Sequence, residues 1–314
     1  MNLEFIEQGP ALLVDNTRRI LVIADLHLGI ESDLARHGIY FRSRSRQRQE
    51  KALRCIRETS PDIILLLGDV KHGIPGTSRQ EYRELPDLLS SFRKHGALMV
   101  APGNHDIGIE RFLLPDEILP RNGIVIDGTG YLHGHMYPDP SLAGHLIIAG
   151  HHHPFICLRD EVGCSLRSPA YLFAMLRSEC FVPGRHENEL VLTGPGPEKP
   201  DKKIPGKEIA VRPGISMRTI RASRMRSPTR VACSEPRDPE LYGNLPETDP
   251  AGKSRVLFMP AFNELSGFDI QRIVASPISP LSRCMNTASC EIFLPDGTYI
   301  GPLSSVEDHD PAGA

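Results

Sequence analysis

The sequence predicts an α/β fold built on a parallel sheet, with a second group of strands packed beside it. Three observations carry that prediction. Up to residue 106, short apolar runs alternate with amphipathic stretches of helix length, the order from which parallel sheets are made. After Gly123 the apolar runs come closer together, in the manner of a meander. The runs also end, all in the same sense, on carboxylates, imidazoles and one amide.

Leu12-Leu13-Val14-Asp15 and the run at 20–25 form two strands joined by a turn at Asn16-Thr17, so the sheet is expected to open as a hairpin. The second run ends on Asp25-Leu26-His27. In an extended strand, Asp25 and His27 share one face and can reach one point, while Leu26 turns back to the core. Between 36 and 57 come Arg36, Arg42, Arg44, Arg46, Arg48, Lys51, Arg54 and Arg57, with Ala52, Leu53, Cys55 and Ile56 as an apolar side and Thr59-Ser60-Pro61 as a stop. This basic helix suits either a phosphate-attracting face or an ordinary solvated surface.

A second buried strand at 63–67 ends on Gly68-Asp69. Ser78-Arg79-Gln80-Glu81 has capping-box spacing, and Tyr82, Leu85, Leu89 and Phe92 follow at helical intervals to Gly96. Pro86 should kink this helix or begin another. A third strand at Leu98-Met99-Val100 leads to Gly103-Asn104-His105-Asp106. Strands near 124–126, 131–132, 146–149 and 155–158 follow, two of them running into His133-Gly134-His135 and His151-His152-His153. In an extended segment His151 and His153 share a face and His152 points away.

The composition then changes. Residues 183–252 carry closely spaced prolines, with Gly, Lys and Arg and few apolar clusters, which predicts a disordered insertion after a core of residues 1–182. Its Arg212, Arg218, Arg221, Arg224, Arg226 and Arg230 fit a solvated linker better than a nucleic-acid arm. Order should return over 253–306, where residues 255–263 and a hairpin at 290–300, turned at Asp296-Gly297, complete the core sheets before a tail at 307–314.

The bulk properties set bounds on this picture. A chain of 314 residues with net charge −3 and no tryptophan is that of a globular protein without the charge of a nucleic-acid binder. No signal peptide is visible in the first ten residues, and no run approaches the roughly 20 residues of a membrane helix. The seven cysteines, Cys55, Cys157, Cys164, Cys180, Cys233, Cys284 and Cys290, are scattered without Cys-x-x-Cys spacing and predict reduced thiols, hence a cytoplasmic protein with no membrane partner.

Taken in order, Asp25-x-His27, Gly68-Asp69, Gly103-Asn104-His105-Asp106, His133-Gly134-His135 and Gly150-His151-x-His153 resemble the five signature blocks of the calcineurin-like metallophosphoesterase superfamily. Within it, Gly68-Asp69-Val70-Lys71-His72, Met259-Pro260-Ala261-Phe262-Asn263 and Leu294-Pro295-Asp296-Gly297-Thr298 resemble archaeal phosphoesterases related to the SbcD type of DNA-repair nuclease. The likeness covers residues 1 to about 180 and about 253 to 305 and leaves the insertion without a counterpart.

That resemblance implies a four-layer α/β/β/α sandwich of two mixed sheets flanked by helices, and a dinuclear metal-dependent phosphoesterase. Asp69 would bridge two divalent cations, with Asp25, His27 and His153 completing one and Asn104, His133 and His151 the other. Manganese is the expected metal, and iron, nickel and zinc suit the same imidazole, carboxylate and amide donors. Two cations roughly 3.5–4 Å apart clamp the attacking and leaving oxygens at phosphorus and lower the pKa of a water from about 15.7 toward 7, so that hydroxide is the nucleophile. His105 would stabilise the transition-state oxygens or protonate the leaving group, with Asp106 orienting its ring.

Other residues are less specific. His72 and His135 fit an outer partner of the site, a substrate contact or a structural role. His37, His95, His145, His186 and His309 are expected to be incidental, and Phe262 and Asn263 either border the substrate or end a strand. The expected substrate is a small phosphodiester or phosphomonoester, with a nucleotide, DNA or RNA as the alternative. A non-catalytic protein-binding scaffold of the same fold is the competing class, against which stands the complete set of seven ligand positions.

Overall fold

The computed structural model describes residues 1–40, 42–159, 164–181 and 253–306. All of them belong to one compact unit. The expected insertion at 183–252 and the tail at 307–314 lie outside the described residues.

The first sheet holds β1 (Asn2–Ile6), β2 (Ala11–Asp15), β3 (Arg19–Ala24), β4 (Ile63–Leu67) and β5 (Ala97–Val100) in sequence order. β1 to β3 are antiparallel, and β3, β4 and β5 run parallel. The sheet therefore opens one strand before the expected hairpin: β1 is an edge strand whose Leu3 and Phe5 are half-buried between exposed Asn2 and Glu4. β4 is buried at every residue, the reason its sequence is an unbroken apolar run.

Side-chain alternation sorts this sheet into two faces. Leu21, Ile23, Ile64 and Leu66 pack toward α2 (Ser45–Thr59) and α3 (Arg79–Arg93), meeting Ala52, Ile56, Leu85, Leu89 and Phe92. Ile20, Val22, Leu65 and Leu67 face the other way, against Tyr131, Ile148, Leu257, Met259 and Phe293 of a second sheet. Each such Leu or Ile, fully buried, contributes about 1.5–3 kcal/mol, so the layer between the sheets holds the two halves together.

The later strands are β6 (Ile124–Ile126), β7 (Thr129–Leu132), β8 (Leu146–Ala149), β9 (Pro154–Arg159), β10 (Ser165–Pro169), β11 (Tyr171–Leu176), β12 (Arg255–Phe258), β13 (Phe268–Asp269), β14 (Met285–Phe293) and β15 (Tyr299–Pro302). Seven of them form the second sheet in the order β15-β14-β11-β12-β8-β7-β6. Its outer face, with Ile147, Leu172, Val256 and Phe258, is covered by α4 (Ile270–Ala275) and α5 (Pro280–Cys284) through Ile270 and Leu281. The layers run helix, sheet, sheet, helix, as expected from the metallophosphoesterase resemblance.

Several expectations are corrected. The second half is no meander: β7, β8 and β12 are parallel neighbours, and β9 leaves to form a third sheet with β10 and β13. The basic stretch is interrupted, with α1 (Ile30–Arg36) ending before α2 begins. Its charge is partly neutralised within the chain, since Arg44 and Arg48 reach Glu264, Arg48 also reaches Glu31, and Arg46 pairs with Glu50. Pro86 lies inside one continuous α3. It is exposed, as is Tyr82, whose carbonyl it leaves without a helical donor, so water can take that bond. The buried face of α3 is Glu81, Leu85, Leu88, Leu89 and Phe92, without Tyr82. No helix among the described residues is long and apolar enough to cross a membrane.

Candidate metal centre

β3 and β4 stop at Ala24 and Leu67, yet their pairing carries on beyond the strands. Asp25 N–H donates to Gly68 O at 3.2 Å, His27 N–H to Asp69 O at 2.8 Å and Leu28 N–H to Val70 O at 2.9 Å. The backbone there is not extended, contrary to the strand geometry expected for Asp25, His27, His151 and His153. Of the seven described non-glycine residues with positive φ, five are Asp25 (56°), His27 (42°), Asp69 (47°), His151 (68°) and His153 (44°). Left-handed backbone at Asp and His is uncommon and gathers at functional sites, where the surrounding fold over-determines it.

That surrounding is visible in three contacts. Asn263, buried, donates from Nδ2 to Leu26 O at 3.0 Å and His27 O at 3.3 Å, bracing the first turn. A Cβ at Gly68 would lie 2.4 Å from His133 Nδ1, and one at Gly103 would lie 2.1 Å from Asp69 Oδ1. Glycine at 68 and 103 is what lets these side chains close on one another.

Two groups of donors that share Asp69 converge here, and a third, His27, His72 and His105, adjoins them through His27. Asp25, His27, Asp69 and His153 each offer one ligand atom, all within 4.8 Å of one another, and so do Asp69, His133 and His151. Asp69 belongs to both. His153 Nε2 is 2.9 Å from Asp25 Oδ1 and 3.4 Å from His27 Nε2. On the other side His133 Nε2 is 3.5 Å from Asp69 Oδ1 and 3.2 Å from Asn104 Oδ1. Its Nδ1 donates to Leu67 O at 2.8 Å, so Nε2 is the nitrogen left bare whenever the ring is neutral. The structure thus brings together all seven residues expected as ligands.

The electrostatics suit cations. Burial above all holds His27 and His151 well below the ordinary histidine value, which keeps them as neutral donors. Burial would raise Asp69, but the imidazoles of His133, His27 and His105 outweigh it and keep the carboxylate ionised. Burial likewise opposes charge on His133, but Asp69 and Asp25 overcome it and lift the ring to about 9, so its Nε2 carries a proton near neutral pH that a cation would have to displace. Carboxylates ringed by imidazoles, most of them with less than a tenth of their surface exposed, are the donor set of a borderline divalent metal.

His105 lies beside the shared carboxylate, its N–H donating to Asp69 Oδ1 at 2.8 Å. Its Nδ1 donates to His72 O at 2.6 Å, and this carbonyl orients the ring. The role expected for Asp106 is corrected accordingly. Asp106 is fully buried and accepts from Gly103 N–H at 2.8 Å and Lys71 N–H at 3.2 Å, tying the two loops instead of the ring. Burial, then Asp69, pushes its carboxyl up to about 6.

The two ambiguous histidines part company. His72 Nδ1 is 3.1 Å from His27 Nδ1, behind the first group. The His135 ring stands 5.2 Å from His133 and 6.1 Å from His151, with a buried Nδ1 that has no partner. Sequence reasoning missed three supports. Glu81 Oε1 accepts from His72 N–H at 2.8 Å and Gly73 N–H at 2.6 Å, a reach that its capping-box position hints at. His152 Nδ1 donates to Gly150 O, and Ser279 Oγ donates to His152 Nε2 at 2.7 Å, anchoring the turn between His151 and His153. Asp33 faces His72, and nothing in its sequence position signals that.

Residues 18–164 match the calcineurin-like phosphoesterase family. Among solved structures, the chain is similar to the nuclease MPE of Pseudomonas putida, at 15% identity over 94% of this chain and 98% of that one, with a TM-score of 0.45. It is also similar to Yfce, a phosphoesterase from E. coli, at 15% identity over 45% of this chain and 73% of that one, with a TM-score of 0.28. The match to that family spans the whole Asp and His cluster, from Asp25 to His153, and supports a hydrolase that acts on phosphoester bonds.

Proposed function

We propose that the chain is a dinuclear metal-dependent phosphoesterase in which Asp69 is shared between two divalent cations. Asp25, His27 and His153 complete one set of ligands, and Asn104, His133 and His151 the other. The observation that carries this reading is the membership of Asp69 in both donor groups. Two bound cations, manganese foremost, supply Lewis-acid stabilisation of phosphoryl oxygens and a water acidic enough to attack near neutral pH.

The chain's own residues do the rest. Asp69 also accepts the His105 N–H, so the shared carboxylate and the proton-handling residue keep a set distance. The His72 carbonyl occupies His105 Nδ1–H, leaving Nε2 as the nitrogen that carries or releases a proton at substrate. Buried Asp106 holds the loop from which His105 projects.

A small phosphodiester or phosphomonoester is the favoured substrate, because several arginines of the basic stretch are already paired with acids. An SbcD-like nuclease is the second reading, resting on the blocks at 68–72, 259–263 and 294–298. The cytoplasmic setting rests on the scattered cysteines. The test is manganese-dependent hydrolysis of an aryl phosphodiester beside the matching monoester, with His105→Ala in parallel. Metal-dependent turnover that falls in the variant supports the enzyme, and the diester-to-monoester ratio separates the substrate classes. Bound metal with no turnover on either ester, or on DNA or RNA, favours the scaffold.

A further inference from the structure

We propose that His72 is a positioning residue that sets which ring nitrogen His27 presents to its cation, with Asp33 completing the chain. The inference rests on the reading of His27 as a ligand. His27 is buried, and its two nitrogens face different neighbours. Nε2 faces the donor group, 3.4 Å from His153 Nε2 and 3.7 Å from Asp69 Oδ2. Nδ1 faces outward, 3.1 Å from His72 Nδ1.

A neutral imidazole has one N–H and one bare nitrogen, so a bond between two Nδ1 atoms needs the proton on one ring and a lone pair on the other. Asp33 decides between them. Its Oδ2 lies 3.6 Å from His72 Nε2, and a carboxylate can only attract a proton there, which leaves His72 Nδ1 bare. His27 then donates from Nδ1 and keeps Nε2 bare toward Asp25, Asp69 and His153. The opposite arrangement would aim an N–H into the donor group and oppose a cation. A ligand imidazole whose second nitrogen is held by an outer partner is the usual means of fixing its tautomer.

The platform under the ring is rigid. His72 N–H donates to Leu28 O at 2.9 Å and to Glu81 Oε1, and buried Lys71 Nζ donates to Gly73 O and to Gly76 O at 3.2 Å. The His72 ring serves His27 while its backbone carbonyl serves His105, so a side-chain substitution separates the two.

The experiment is calorimetric titration of the full chain with manganese, comparing the unaltered protein with His72→Phe, His72→Asn, Asp33→Asn and His27→Ala. Asparagine places a polar atom close to the position of Nδ1. His72→Phe should weaken binding by about 10–100-fold. His72→Asn should recover most of that loss, and Asp33→Asn should weaken binding in the same direction by less. Weakened binding in His27→Ala beside unaltered binding in His72→Phe overturns the positioning role and leaves the ligand reading intact. Unaltered binding in His27→Ala overturns both. If His72→Phe does not fold, equal affinities for His72→Asn, Asp33→Asn and the unaltered chain, with His72→Ala also equal, overturn the role.

Discussion

The backbone N–H of His105 donates to Asp69 Oδ1 at 2.8 Å, while Nε2 of the same His105 lies 3.9 Å from Asp69 Oδ2. One carboxylate therefore meets both the backbone and the ring of the residue proposed to handle the proton. Its charge, in turn, serves both donor groups. Asp69→Asn keeps an oxygen for the His105 N–H and removes the charge. Hydrolysis is expected to drop to background and bound manganese to fall at both positions, measured by metal analysis after desalting. Near-normal turnover with both cations retained would refute the shared-ligand role.

His105→Ala should act differently. The variant removes the ring and leaves both donor groups that share Asp69 intact, so metal content there stays and the rate falls by about 10²–10⁴-fold, the usual worth of a positioned acid or base. A matching loss of metal would make His105 a support of the cluster and not a participant in proton transfer.

The convergence of these residues was legible because every one of them follows an apolar run or a Gly-rich turn, a signal that survives without knowledge of the fold. The local conformation was not. Asp25, His27, His151 and His153 look like extended residues by spacing, yet all four are left-handed, and a contact distant in sequence, Asn263 on the Leu26 and His27 carbonyls, braces the first turn. Asp106 follows His105 directly and invited a role on its ring, whereas the nearer carbonyl belongs to His72, 33 residues away. β13 has two residues, too few for any periodicity, so of the third sheet only the strand near 155–158 was legible in the sequence. Pro86 broke a helical pattern on paper, and its exposed position removed the penalty.

Glu81 links helix capping to the site. It is fully buried and accepts from the N–H groups of His72, Gly73 and Ser78, the last closing the capping box of α3. Glu81→Ala strands the Gly73 and Ser78 N–H groups, while His72 N–H keeps Leu28 O, at a cost of about 1–3 kcal/mol for each donor left buried and unpaired. The expected outcome is a lowered Tm together with weaker manganese binding, because His72 sits on the same turn. An unchanged Tm would show that water replaces the carboxylate.

The buried pair of Glu31 and Arg48 gives a pH dependence. Burial would raise the Glu31 carboxyl, but Arg48 and the Arg44 N–H outweigh it and hold it below its ordinary 4.5. A carboxylate depressed in the folded chain contributes stability that is complete above its unfolded value and is lost as pH falls through the folded one. Arg48→Met leaves Glu31 buried without its partner, for about 3–5 kcal/mol near neutral pH. Urea denaturation should show that deficit at pH 7 and a narrowing gap below pH 4.5, where Glu31 protonates in both proteins. A gap that stays constant with pH would assign the loss to packing alone.

The insertion at 183–252 can be tested from the strands that flank it. β11 and β12 are antiparallel neighbours, with Met175 opposite Arg255, and Leu176 N–H donates to Ser254 O at 2.9 Å. The chain thus leaves the second sheet and re-enters it at adjacent points, the geometry of a hairpin, which a short connection can close. The cost of closing a loop grows only slowly with its length, about 0.6 kcal/mol per doubling, so neither a long nor a short connection is dictated by these ends. Replacing 183–252 with a short Gly/Ser link should therefore preserve a cooperative thermal transition and manganese binding. Loss of that transition would mean that the segment contributes to the core and is a domain in its own right.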